Sequence, residues 1–176
     1  MSSTSLAHAC EASAVSLSRR VRVVAIAAVG GFGCAHAKPT AEAPPYVAGT
    51  HRLVALPTDK ISYPNAAERA TEYLTRTRVR GFDAPQLAKV SLEVAQLSIE
   101  CVEANGTCYA AVGRSLGANA LLFVQLEPGP EPDQVRVSVT LFDVDGATPK
   151  RTARKLFDTE QDAVYGVRDV VEEATK

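Results

Sequence analysis

Two cysteines, Cys101 and Cys108, stand seven residues apart in the stretch CVEANGTC, and no other cysteine follows residue 34. On one continuous helix they would lie about 10 Å apart along the axis, at about 1.5 Å per residue. A disulfide needs Cα atoms about 4.4–6.8 Å apart. A bond therefore requires the helix to break between them. Asn105-Gly106 suits that break, since both residues tolerate the left-handed backbone that ends helices, and Thr107 can cap the next helix. Closing a loop of this size contributes about 2–3 kcal/mol in the chain-entropy account. In a reducing cytosol two free thiols would be the better reading. A zinc site needs more ligands than stand nearby, and a redox pair is usually C-x-x-C. The compartment decides.

The first residues speak to that compartment. Arg19, Arg20 and Arg22 are opposed only by Glu11, and an uncharged run, VVAIAAVGGFG, leads to small residues. That is the n-region, h-region and cleavage region of an export signal, too short to span a bilayer, which takes about 20 residues. The sequence Gly31-Phe32-Gly33-Cys34 resembles a bacterial lipoprotein signal, with Gly31 where the family usually has Leu. Lipidation at Cys34 is the favoured processing. Ala35-His36-Ala37 offers the alternative, cleavage before Lys38 to release a soluble protein. Either way the chain is exported, and a disulfide between Cys101 and Cys108 becomes the leading reading.

The remaining candidates for chemistry are sparse. His51 is the only histidine of the domain over residues 51–176 and reads as a surface residue. No serine sits in G-x-S-x-G, and residues 113–117 (GRSLG) form a helix end and not a phosphate loop. Asp143-Val144-Asp145-Gly146 looks like the opening of a calcium loop, but the further ligands and closing Glu are missing, so it reads as a turn. Glu93 and Glu100, one heptad apart on an expected long helix, read as a solvated face. No catalytic constellation and no cofactor motif emerge, and the chain is read as non-enzymatic.

These residues need elements to hold them. Residues 1–33 read as signal peptide, and residues 34–50 as a lipid anchor followed by a Pro- and Ala-rich tether (KPTAEAPPYVAGT). Residues 51–176 are the size of one domain. From Cys34 onward there are 16 lysines and arginines against 19 aspartates and glutamates, a net charge of −3. No basic stripe interleaved with aromatics appears, which argues against nucleic acid.

Residues 52–56 predict a buried strand ended by Pro57. Asn65 and Glu68 have capping-box spacing ahead of a helix with Ala66, Ala70, Tyr73, Leu74 and Thr77 on one face. Residues 78–82 give a weak extended signal. Asp83 and Gln86 repeat the cap pattern before a long helix on which Leu87, Val90, Val94, Leu97 and Cys101 fall at core spacing. Ala88, Leu92, Ala95 and Ile99 run beside them.

After the cysteines come a short helix over 109–116 and an apolar strand over 120–126, buried on both faces. Val135, Val137, Val139 and Leu141 alternate with polar residues, which predicts a half-exposed antiparallel strand. Asp145-Gly146 is a hairpin signal. Residues 151–157 return as an edge strand whose Lys150, Arg151, Arg154 and Lys155 discourage pairing with other chains; contact with anionic lipid is the less favoured account of those charges. A helix capped near Asp158 or Thr159 closes the domain, with Ala163, Val167, Val170, Val171 and Ala174 on its apolar face. The expected architecture is a single two-layer α/β domain with a mixed sheet, a C-terminal antiparallel hairpin and three to four helices.

In that order, the run LVALPTD, the segment VGRSLGANALLFVQLE and the following antiparallel pair resemble the small N-terminal domain of TolB. They also resemble related domains of CsgG-like and LpoB-like envelope lipoproteins. Ala111, Leu116, Gly117, Ala118, Leu121, Leu122 and Leu126 carry the most specific part, within a likeness covering roughly residues 51–176. Gln125 departs from it, standing where such domains often have Gly, and TolB's propeller has no counterpart in these residues. The resemblance implies no catalytic residues and an adaptor role in envelope assemblies. The expectation is therefore a lipid-anchored scaffold or protein-interaction module of the cell envelope, with an envelope protein as partner. A small-ligand-binding periplasmic lipoprotein is the alternative, and a hydrolase using Asp or Glu a more distant one.

Overall fold

A computed structural model describes residues 43–176 apart from Val102. The signal segment 1–33 and the lipidation candidate Cys34 lie outside the described residues. β1 (Leu53–Ala55) is short because Pro57 cannot continue the ladder, and all three of its residues are buried. α1 (Pro64–Arg76) follows, then β2 (Gln86–Leu87), α2 (Leu92–Ser98) and α3 (Gly106–Ser115). β3 (Ala120–Pro128), β4 (Val135–Asp143) and β5 (Thr148–Phe157) form a meander, and α4 (Glu160–Thr175) closes the chain.

The five strands make one mixed sheet in the order β2-β1-β3-β4-β5. β1 is parallel to both neighbours, with Leu53 opposite Ala120, while β3, β4 and β5 are antiparallel. The run 120–124 is apolar at every position, so side chains alternating across the pleat bury both faces. Leu122 and Val124 pack toward α1 and α4, with Ala66, Ala70, Leu74, Val167 and Val171. Leu121 and Phe123 pack the other way, with Phe142, against Leu92, Ala95, Ala110 and Val112 of α2 and α3. The expected α/β class, mixed sheet, hairpin and helices are all present. The arrangement is two-layered over the β4–β5 hairpin and gains helices on its second face over β1 and β3.

Several local expectations are corrected. The N-cap of α1 is Tyr63, Pro64 opens the helix, and no side chain caps it locally. Asn65 and Glu68 form no capping box; the N–H groups of Asn65 and Ala66 donate to Glu160 of α4 instead. Residues 78–82 are not a strand. The long helix expected from Asp83 to Cys101 is cut down to α2 alone, capped by Ser91. Pro85 biases the residue before it away from helix, and the open side of β1 takes Gln86 and Leu87 as a partner strand, with Ala88 N–H donating to Ala55 O at 2.8 Å. α3 begins at Gly106 with Asn105, not Thr107, as its cap. β4 is more enclosed than expected, since Ser138 and Thr140 are buried beside its apolar residues.

Candidate functional site

The least expected surface is apolar. Leu87, Val90, Val94 and Leu97 were read as a core face, yet they are 47%, 36%, 50% and 77% exposed. The chain could bury only one of the two apolar rows around α2, and Leu92 and Ala95 take the inward side. Val94 and Leu97 stand exposed on α2, Val90 on the loop before it, and Leu87 on the edge strand β2, where its register partner Ala55 puts it on the sheet face opposite α2. Beside β2 a hollow of about 290 Å³ is lined by Val54, Leu87, Val90, Leu116 and Pro44. An open edge strand, exposed apolar side chains and an apolar hollow are features of surfaces on which proteins dock.

The cysteines hold α2 in place. Cys101 and Cys108 are disulfide-bonded, with Cα atoms 5.7 Å apart. The helix break falls before the first cysteine and not at the expected Asn105-Gly106: α2 ends at Ser98, Glu100 takes a positive φ of 56°, and the extended Asn105 caps α3 by accepting the Cys108 N–H at 3.0 Å. Gln96 of α2 donates to the Cys108 sulfur at 3.2 Å. The bond thus ties the loop after α2 to the first turn of α3.

The segment expected to be tether is held against the domain over residues 46–50. Asn119, buried between Ala118 and Ala120, donates to Val47 O at 2.9 Å and is hydrogen-bonded by the Thr50 hydroxyl. The Tyr46 hydroxyl donates to Asp145 in the β4–β5 turn, and the Gly49 N–H reaches the same carboxylate at 3.4 Å. The Tyr46 hydrogen bond holds the Asp145 carboxyl below the usual range against the opposing effect of burial, with smaller help from Gly49, Asn119 and Arg114. The same bond raises the Tyr46 phenol. Gly117, at a φ of 65°, lets the Pro44 carbonyl pass where a side chain would stand.

A polar hollow of about 230 Å³ lies at the carboxyl ends of β1 and β3, lined by Thr58, Asp59, Ser62, Glu93, Gln125 and Glu127. Open α/β sheets characteristically place ligands at such strand ends. Thr58 is 6% exposed and its hydroxyl has no hydrogen-bond partner. Glu93 faces this hollow, whereas Glu100 lies past the end of α2. The two do not share a helix face as expected. His51 is exposed, with its ring edge-on to Phe82 at 6.5 Å.

Asp143 accepts the N–H groups of Asp145 and Gly146 at 3.0 and 3.2 Å, which closes the turn. Sequence reasoning missed the docked segment, although a lone Asn opening an apolar strand is a signal of a buried backbone anchor. The polar hollow had no such signal, because its residues come from three separate stretches.

No protein-family model matches the chain, and no curated protein matches it. Among solved structures it is similar to the PelC dodecamer from Paraburkholderia phytofirmans, with a TM-score of 0.44 and 16% identity over 74% of this chain and 91% of that one. A leucine-to-methionine variant of that dodecamer gives a TM-score of 0.38 and 15% identity, over 75% and 90% of the two chains. Likeness at this level carries no argument about what the chain does.

Proposed function

We propose that this chain is an exported cell-envelope lipoprotein, anchored through Cys34, whose α/β domain is a non-catalytic protein-interaction or scaffold module. The observation that carries this reading is the exposure of Leu87, Val90, Val94 and Leu97 on the edge strand β2 and through α2. An isolated exposed leucine is ordinary, but four exposed apolar residues on an edge strand and the helix that follows it favour a docking partner. The disulfide suits an oxidising compartment. The resemblance to TolB-like, CsgG-like and LpoB-like domains supports an adaptor role, with another envelope protein as the occupant.

The test uses the full chain in its native host. Val94→Glu with Leu97→Glu is expected to leave the thermal midpoint within a few degrees and to abolish crosslinks to envelope proteins that the unmodified chain forms. Unchanged crosslinks in the variant would overturn the docking role of the exposed side of α2. Intact mass without and with reductant tests the rest. A lipid-sized addition at Cys34 and a gain of about 2 Da on reduction are expected. An uncleaved, reduced chain would sink the export reading.

A second reading, a small-ligand-binding periplasmic lipoprotein, is favoured by one observation: the unpartnered hydroxyl of Thr58 in the polar hollow. A ligand with hydrogen-bonding groups would satisfy it.

A further inference from the structure

The domain is net acidic, with 15 lysines and arginines against 18 aspartates and glutamates over residues 43–176, yet one end of it is basic. A cleft of about 570 Å³ between the C-terminal ends of α1 and α4 is walled by Arg76, Arg78, Arg80, Arg168 and Lys176. A smaller hollow shares Arg80 and Lys176 with it and continues to Lys150 and Arg151 on β5. Glu72 pairs with Arg76 at 2.8 Å and Glu172 with Arg168 at 2.7 Å. Among the described residues Arg78, Arg80, Lys150, Arg151 and Lys176 enter no ion pair.

Cations at helix C-termini ordinarily complement the helix dipole, and that accounts for Arg76. It does not account for Arg78 and Arg80, which lie beyond α1, or for Lys150 and Arg151, which belong to a strand. Their exposure also leaves them free to meet a large partner.

The basic face adjoins the point where the chain enters the domain. The Lys150 ammonium lies 4.9 Å above the Phe82 ring, and that ring is edge-on to His51 at 6.5 Å. His51 directly follows the docked segment. Only eight residues separate Cys34 from residue 43, a chain that reaches at most about 30 Å when extended. We infer that this face rests on an anionic membrane surface, with its guanidinium and ammonium groups meeting lipid phosphates. The orientation rests on the proposed anchorage at Cys34; the charge match stands without it. Acyl anchors commonly act together with such basic patches.

The test binds the full chain to vesicles of phosphatidylcholine alone and to vesicles with about 30% phosphatidylglycerol, at low salt and at about 0.5 M salt. Anionic lipid is expected to strengthen binding at least about tenfold at low salt and to lose that effect at high salt. Arg78→Glu, Arg80→Glu and Lys150→Glu together should remove the increment, while Arg154→Glu with Lys155→Glu should keep it. No increment, or equal loss in both variants, overturns the proposal. So does loss of the increment on adding millimolar pyrophosphate at matched ionic strength, which would mark a site for a soluble anion.

Should the triple variant not fold, Arg78→Gln and Lys150→Gln singly take its place, each expected to weaken the increment a few-fold. Neither doing so would also overturn it. If the anchorage reading alone is wrong, binding to neutral vesicles disappears and the anionic increment remains. If the basic face is wrong, the reverse holds.

Discussion

The Glu160 carboxylate accepts the backbone N–H of Asn65 at 2.8 Å across 95 residues of chain, and the N–H of Ala66 at 3.1 Å. One side chain thereby caps α1 while standing in the first turn of α4, where a negative charge also suits the dipole of its own helix. Removing it leaves two N–H groups of α1 without their acceptor. Glu160→Ala is expected to destabilise the fold by about 1–2 kcal/mol, read by urea denaturation. Glu68→Ala, at the position that sequence spacing assigns to a capping box, should cost under about 0.5 kcal/mol, since Glu68 makes only an exposed pair with Lys60 at 3.7 Å. Equal effects from the two variants would refute the long-range cap.

The disulfide is expected to act locally. Reduction, or Cys101→Ser with Cys108→Ser, should lower stability by about 2–3 kcal/mol. The loss of hydrogen-exchange protection should concentrate in α2, which depends on Cys108 through Gln96. Protection lost evenly across the sheet would mean that the bond supports the whole core instead.

The Tyr46–Asp145 contact makes the docked segment sensitive to pH at both extremes. Because the Tyr46 hydroxyl depresses the Asp145 pKa, its contribution is present above the unfolded aspartate value of about 3.9 and is lost as pH falls through the lower folded value. The Tyr46 phenol is raised. Its contribution is therefore complete below the unfolded value of about 10 and is lost as pH rises through the higher folded one. Tyr46→Phe should move the Asp145 carboxyl titration, followed by NMR, up toward the ordinary range. An unmoved titration would show that the hydroxyl does not set it.

Thr58→Val distinguishes an orphaned hydroxyl from a ligand's partner. In the ligand-free protein the change should be neutral or stabilise by up to about 1 kcal/mol, because a buried group with no partner carries a desolvation cost. Melting temperature measures it. A loss of more than about 1 kcal/mol would mean that the hydroxyl is satisfied in the folded protein.

Sequence by itself determined the elements whose residues agree with one another at short range. The strand over 120–124 is apolar at every position, and no placement other than a sheet interior satisfies it. The spacing of Cys101 and Cys108 defined a closable loop, although the helix ended at Ser98 and not at Asn105-Gly106. Ala163, Val167, Val170, Val171 and Ala174 allowed one helix face. Tertiary structure alone decided the rest, because the competing local signals were nearly equal. Around α2 two apolar rows could each have faced inward, and the choice fell to Leu92 and Ala95 once Gln86 and Leu87 had paired with β1, which left Val94 and Leu97 outside. The cap of α1 came from Glu160, the anchor of the docked segment from Asn119 and Asp145, and the basic face from α1, β5 and α4 together. Such contacts join residues roughly 70 to 100 positions apart. Periodicity and capping rules see only neighbours within a few turns, so these arrangements exist in the packed chain and nowhere in its local pattern.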